Sequence, residues 1–183
     1  GYTVPTEVSA SLADALKAAA SAAVRDVAVL VTGPHGSGKT TLAQLIAHHG
    51  SRAGRPIVAV DGARVEPTLL DAELFGTPGD QSGKVLQADG GTLLIDEIAH
   101  LTPLSQAKLL QLLSDGSFYV PGSNRAERVD ARLIATTRFD LAALVRQGTF
   151  REDLFYRLCV IEIPMPTLEE RRIDIAELAE HFL

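Results

Sequence analysis

Five short runs of apolar, largely β-branched residues punctuate the chain: Val27-Ala28-Val29-Leu30-Val31, Ile57-Val58-Ala59-Val60, Thr92-Leu93-Leu94-Ile95, Leu133-Ile134-Ala135-Thr136 and Val160-Ile161-Glu162-Ile163. The first and third predict buried parallel strands, and the others supply further strands. Between them the apolar residues recur at helical spacing. Leu12, Leu16, Ala20 and Val24 predict an alanine-rich amphipathic helix over Ser9–Arg25. Helices follow over Thr41–Ala47, after Pro67 (carrying Leu69, Leu70, Leu74 and Phe75), from Pro103 to a stop at Asp115-Gly116, over Leu141–Gln147 and over Glu152–Leu158. Strands alternating with helices predict an α/β fold, a five-stranded parallel sheet flanked by helices on both faces. After Pro164-Met165-Pro166 a last helix is expected over Leu168–Leu183. Its apolar Ile173, Ile175, Leu178 and Phe182 have no later partner in sequence, which suggests a piece of a longer protein.

Composition narrows the class. The 183 residues, 46% hydrophobic and 22% charged, can bury the core of one ordinary domain. A net charge of −6 argues against nucleic-acid binding through a basic surface. No apolar run approaches the roughly 20 residues of a membrane span, and no signal pattern opens the chain, so it reads as cytoplasmic. Cys159 is the single cysteine and reads as a buried small hydrophobe. His35, His48, His49, His100 and His181 have no carboxylate or cysteine at metal-ligand spacing and read as surface or packing residues.

Gly33-Pro34-His35-Gly36-Ser37-Gly38-Lys39-Thr40 fits G-x-x-x-x-G-K-[ST] at every position, with a strand before it and a helix, opened by Thr41, after it. That context marks an ATP or GTP site. The glycines let successive N–H groups turn inward towards phosphate oxygens, helped by the positive end of the helix dipole. Lys39 is expected to reach the β- and γ-phosphates and the Thr40 hydroxyl to ligate Mg2+. A glycine-rich turn that carries a lysine by chance is the bland alternative, and the matching flanks speak against it. Asp96 and Glu97 end a core strand, at the sheet edge where open parallel sheets bind ligands. Asp96 is expected to hold Mg2+ with Thr40, and Glu97 to activate water for attack on the γ-phosphate. Such a pair can also cap the next turn, but its spacing from the phosphate loop, about two βα units, favours the Walker B reading.

Three stretches resemble one family of such ATPases: Asp71-Ala72-Glu73-Leu74-Phe75-Gly76, Ala88-Asp89-Gly90-Gly91-Thr92-Leu93-Leu94-Ile95-Asp96-Glu97-Ile98, and Phe150-Arg151-Glu152-Asp153-Leu154-Phe155-Tyr156-Arg157-Leu158. Together they resemble the AAA+ domain of bacterial enhancer-binding proteins, which remodel RNA polymerase carrying sigma-54. The resemblance runs from about Thr3 to Leu183 and implies the α/β subdomain of a P-loop AAA+ ATPase, with 168–183 leading into a helical lid. It implies ATP and Mg2+ as cofactors, a homo-oligomeric ring, RNA polymerase holoenzyme as partner, and DNA contact through a helix-turn-helix domain outside this chain. It makes Arg151 and Arg157 the arginine fingers that reach a neighbour's γ-phosphate, each worth on the order of thousandfold in rate; pairing with Glu152, Asp153 or Glu162 is their structural alternative. A chelatase or restriction motor would share the phosphate loop but not the other stretches.

Three departures qualify the resemblance. Thr77-Pro78-Gly79-Asp80-Gln81-Ser82-Gly83 stands where relatives carry the longer G-A-F-T-G-A loop that touches sigma-54, as in shortened-loop regulators of aromatic amino acid metabolism. Contact with sigma-54 is therefore not expected. Arg138 aligns with the first-sensor Asn, or, one residue out of register, Thr137 does; a guanidinium only donates and carries fixed charge, so sensing is expected to change. Asp61 aligns with the Asn that restrains the catalytic glutamate and is expected to repel Glu97 instead. Thr40, conversely, supplies a hydroxyl where many relatives have Glu, which favours magnesium coordination.

Overall fold

The computed structural model describes residues 10–78, 83–120, 122 and 126–167. In chain order the strands are β1 (Val29–Thr32), β2 (Ile57–Asp61), β3 (Thr92–Asp96), β4 (Ser117–Tyr119), β5 (Ala126–Arg128), β6 (Arg132–Thr137) and β7 (Ile161–Pro164). The helices are α1 (Ala10–Ala23), α2 (Lys39–His48), α3 (Pro67–Phe75), α4 (Lys84–Gln87), α5 (Pro103–Asp115), α6 (Leu141–Arg146) and α7 (Glu152–Leu158). Five strands form the expected parallel sheet in the order β2-β3-β6-β1-β7, while β4 and β5 pair antiparallel beside it.

The three central strands are buried almost throughout because both faces of the sheet are covered there, while the edge strands β2 and β7 are partly exposed. Leu30, Val60, Leu93, Ile95, Leu133 and Ala135 pack against α3, α5 and α7 through Leu74, Phe75, Leu109 and Leu158. Val29, Val31, Leu94, Ile134 and Ile163 point the other way, against Ala15, Ala19, Ala22, Leu42 and Ile46 of α1 and α2. Local chemistry sets the helix ends. The Thr102 side chain accepts from Ser105 N–H at the start of α5, with Pro103 in the first turn, and Gly116 closes it at φ 63. Asp140 caps α6 in the same way through Ala143 N–H.

The buried face of α1 is the expected one in its first half, where Leu12 and Leu16 pack against the core, and differs beyond it. Ala15, Ala19, Ala22 and Ala23 are buried, whereas Ala20 is exposed and Val24, beyond the last helical turn, is 75% exposed. The helix lies against α2, and its small residues suit a close approach. Arg132, buried at the start of β6, donates to the Ala22, Ala23 and Val27 carbonyls at 2.8, 3.1 and 3.2 Å, and so closes the C-terminal end of α1. Val160, expected in the last strand, is exposed outside β7. The pairing of β4 with β5 and the short α4 were not read from sequence. The expected helix over 168–183, and with it the approach to a lid, lies outside the described residues, as do residues 79–82 of the stretch expected to stand in place of the longer loop. Among the described residues no helix is long and apolar enough to cross a membrane.

Candidate functional site

Parallel pairing aligns the C-terminal ends of the strands, and the site is built there. Asp61 pairs with Asp96 across β2 and β3, and Thr32 with Thr137 across β1 and β6. Directly after β1 the chain turns through Gly33, Gly36 and Gly38, all at positive φ, into α2. A Cβ on Gly33 would lie 2.8 Å from the Met165 carbonyl oxygen, so only glycine admits β7's continuation at this point. Lys39 is 5% exposed, and its Nζ donates to the Pro34 carbonyl at 2.8 Å, which folds the lysine back under its own loop.

Four side chains converge on the end of β3. Thr40 Oγ1 lies 3.1 and 3.0 Å from the two carboxylate oxygens of Asp96. Thr136 of β6 donates to Asp96 Oδ1 and accepts the Glu97 N–H at 3.1 Å. Glu97, 9% exposed, is the one non-glycine residue at positive φ among the described residues, at φ 53 and ψ 57. That conformation costs an L-residue about 1–2 kcal/mol, and it swings the carboxylate off the strand axis into the site. There Oε1 lies 3.9 Å from Lys39 Nζ, and Oε2 accepts the Arg138 N–H at 3.2 Å with Arg138 Nε at 4.0 Å. Each carboxylate oxygen thus faces a different cation.

These residues fit a magnesium nucleoside triphosphate. The inward-turned glycine loop and the buried Lys39 suit phosphate oxygens, and a hydroxyl sharing its place with a carboxylate is a hard-oxygen donor pair of the kind Mg2+ takes beside phosphates. His35 and Thr41 are exposed at the rim, and Ser37 is buried beneath the loop.

A sequence profile of the Sigma-54 interaction domain matches residues 6–164. The chain belongs to that family. It is 45% identical over 163 residues to the Nif-specific regulatory protein of Azotobacter vinelandii, covering 85% of this chain and 31% of that protein. It is 42% identical over 183 residues to the regulatory protein AtoC of Escherichia coli strain K12, covering 96% of this chain and 40% of that protein. The crystal structure of NtrX from Brucella abortus in complex with ATP superposes with a TM-score of 0.92 at 36% identity, over 99% of this chain and 40% of that one. The chain therefore spans a third to two-fifths of its relatives, and its sheet and phosphate loop are those of a P-loop AAA+ domain.

Within this sigma-54 interaction domain the remaining residues fall in two places. Arg138 sits on the site, its guanidinium 4.9 Å over the Phe139 ring, and the Thr137 side chain instead accepts the Phe139 N–H. Asp61 does not face Glu97 as expected: its carboxylate accepts the Ala63 N–H at 3.0 Å and pairs with Arg64 at 3.0 Å, drawn outward by its own turn. Arg151 and Arg157 make no hydrogen bond or ion pair with Lys39, Thr40, Asp96 or Glu97. Both are exposed, Arg151 just before α7 and Arg157 in its last turn; Arg151 forms a two-pronged pair with Asp153, while the Arg157 side chain has no hydrogen bond or ion pair among the described residues. Sequence reasoning missed Thr136, the hydroxyl that joins Asp96 to the Glu97 backbone, and Gln106, the buried amide on the Arg151 N–H.

Proposed function

We propose that this chain binds and hydrolyses ATP with Mg2+ as the AAA+ part of a bacterial transcription regulator that works as a ring. The observation that carries the proposal is the carboxylate of Glu97, brought by a left-handed backbone to within 3.9 Å of the phosphate-loop lysine and clear of the Thr40–Asp96 pair. The roles divide accordingly. The loop from Gly33 to Thr41 holds the phosphates, Lys39 neutralises their charge, and Thr40 with Asp96 holds the metal. Glu97 takes the proton of the attacking water. Magnesium, which Thr40 and Asp96 would hold, would offset the charge that develops on the phosphates. Arg151, just before α7, and Arg157, in its last turn, are exposed and bonded to none of these residues, as residues serving a neighbouring subunit's nucleotide would be. Partner DNA is reached through a domain outside this chain. The short, polar Thr77–Gly83 stretch argues against a grip on sigma-54 itself, so RNA polymerase would be engaged in another way.

A second reading, nucleotide-controlled assembly without productive hydrolysis, is favoured by one observation: Arg138 holds Glu97 Oε2 through both its N–H and its guanidinium. ATP turnover per subunit, measured on the full-length protein against protein concentration, separates the two. Turnover that rises with concentration supports the ring ATPase; ATP binding with negligible turnover at every concentration supports the switch. Contact is tested apart from turnover: protein trapped in a transition-state-like complex should not retain sigma-54, and retention equal to that of a loop-bearing relative would refute the loop argument.

A further inference from the structure

Gln106 is an amide in the core. It lies on α5 and is 1% exposed, yet every strong hydrogen-bonding group it carries has a backbone partner. Its Nε2 donates to the carbonyls of Leu101 at 2.9 Å and Thr149 at 3.1 Å, and its Oε1 accepts the Arg151 N–H at 2.8 Å. Two carbonyls on one side and an N–H on the other allow only one orientation of the amide. The three backbone groups belong to two bends. Leu101 closes the 3-10 turn Ile98–His100 that starts at Glu97, where His100 N–H returns to the Glu97 carbonyl at 3.1 Å. Thr149 and Arg151 frame the entry to α7, with Arg151 extended at φ −73 and ψ 131 just before the first helical residue. An apolar side chain here would leave all three groups without this partner, the Leu101 carbonyl in a buried position.

We infer that Gln106 is the positioning residue for Arg151: it fixes the finger's backbone against the turn that carries the same subunit's Glu97, while the guanidinium stays exposed for a neighbour. The inference rests on the reading of Arg151 as a finger acting across subunits. Its chemical basis is placement, since a misplacement of about 1 Å at a reacting centre costs on the order of a hundredfold in rate. Phe150, buried beside it, anchors the segment without setting the orientation of the Arg151 peptide.

The test uses full-length protein carrying Gln106→Met, which keeps the volume and removes all three bonds, and Gln106→Glu, which keeps the acceptor facing Arg151. ATP binding should stay within about threefold of wild type, while turnover of Gln106→Met at saturating protein concentration falls by about tenfold or more. Mixing then identifies where the defect acts. Gln106→Met has a sound nucleotide site and a displaced finger; Glu97→Gln has a disabled site and a sound finger. Their equimolar mixture should turn over ATP several times faster than either alone, whereas a mixture of Gln106→Met with Arg151→Ala should not recover. A Glu97→Gln mixture no faster than its parts, wild-type turnover in Gln106→Met, or loss of ATP binding in both Gln106 variants would each overturn the inference alone. Wild-type protein whose turnover is independent of concentration would instead overturn the finger reading beneath it.

Discussion

Replacing Glu97 by Gln should separate binding from chemistry, and the structure says by how much. Gln fits the same backbone, because the left-handed cost falls equally on both residues and the Thr136 Oγ1 bond at 3.1 Å holds the peptide rather than the side chain. The amide oxygen can still accept the Arg138 N–H, now 3.2 Å from Oε2. What disappears is the negative charge. In the proposed role of accepting the water's proton, Glu97 would be worth about 10²–10⁴ in rate, or about 3–5 kcal/mol of barrier.

Binding should move the other way. Lys39 Nζ and Glu97 Oε1 are 3.9 Å apart with side chains 6% and 12% exposed, a separation at which unit charges attract by about 4 kcal/mol at an effective dielectric near 20. Incoming phosphate must compete with that attraction. Lys39 keeps its Pro34 carbonyl at 2.8 Å and Glu97 regains water when displaced, which offsets most of the attraction. A residue of about 1 kcal/mol predicts roughly fivefold tighter ATP binding by Glu97→Gln. Titration with a fluorescent ATP analogue and steady-state phosphate release, both on full-length protein, read the two halves. Turnover within about threefold of wild type would remove Glu97 as the base. ATP binding weakened several-fold would refute the charge argument, leaving Glu97 as a ligand-positioning group.

Other perturbations follow from the same geometry. Arg138→Ala removes a guanidinium 43% exposed and 4.0 Å from Glu97, a screened pair worth no more than about 1 kcal/mol; turnover should rise two- to fivefold (roughly), and a tenfold fall in phosphate release would show the guanidinium acting on the reacting phosphate. Asp61→Asn should leave turnover within about twofold, because the carboxylate serves Ala63 and Arg64; a large gain in the same assay would place it on Glu97. Gly62→Ala puts a Cβ 2.9 Å from the Glu97 carbonyl oxygen and 3.1 Å from that of Asp96, and should cost about 1–3 kcal/mol in a urea titration, with an unchanged midpoint refuting the contact. Burial first, and Glu162 second, push the Cys159 thiol up to about 11, so at pH 8 it should react with a disulfide reagent far more slowly than a free thiol, and at the free-thiol rate once the chain is unfolded.

The sheet was legible because its central strands, covered on both faces, leave little choice of polarity: the runs at Val29, Leu93 and Leu133 are apolar whichever way their side chains point, and only the edge strand at Ile161 admits an exposed Glu162. The face of α1 was less so. Leucine carries the strongest periodic signal, but a helix lying on α2 buries the residues that let the two backbones approach, and those are the alanines. The Ser117–Tyr119 and Ala126–Arg128 pair was too short for alternation to show, since three residues hold a single period of a strand.

The candidate site divides along the same line. Lys39, Thr40, Asp96 and Glu97 were readable because their chemistry is local in sequence: a loop that must curl, a hydroxyl next to the lysine, a carboxylate pair at a strand end. Asp61, Arg138 and Gln106 depend on where a side chain turns after its strand or helix ends. Asp61 lies beside Asp96 by register, and register alone would set it against Glu97; two residues later Ala63 offers an N–H and Arg64 a charge, so the carboxylate folds back on its own turn. That withdrawal leaves one carboxylate oxygen of Glu97 to Arg138, which enters from β6 instead of β2. A restraint on the glutamate would thus come from another strand and by other chemistry: a backbone N–H backed by a partly exposed guanidinium, where relatives are expected to use an amide. Phosphate charge attracts a cation where it does not attract a neutral amide, so a restraint built on Arg138 would couple release of Glu97 to the charge of the bound nucleotide.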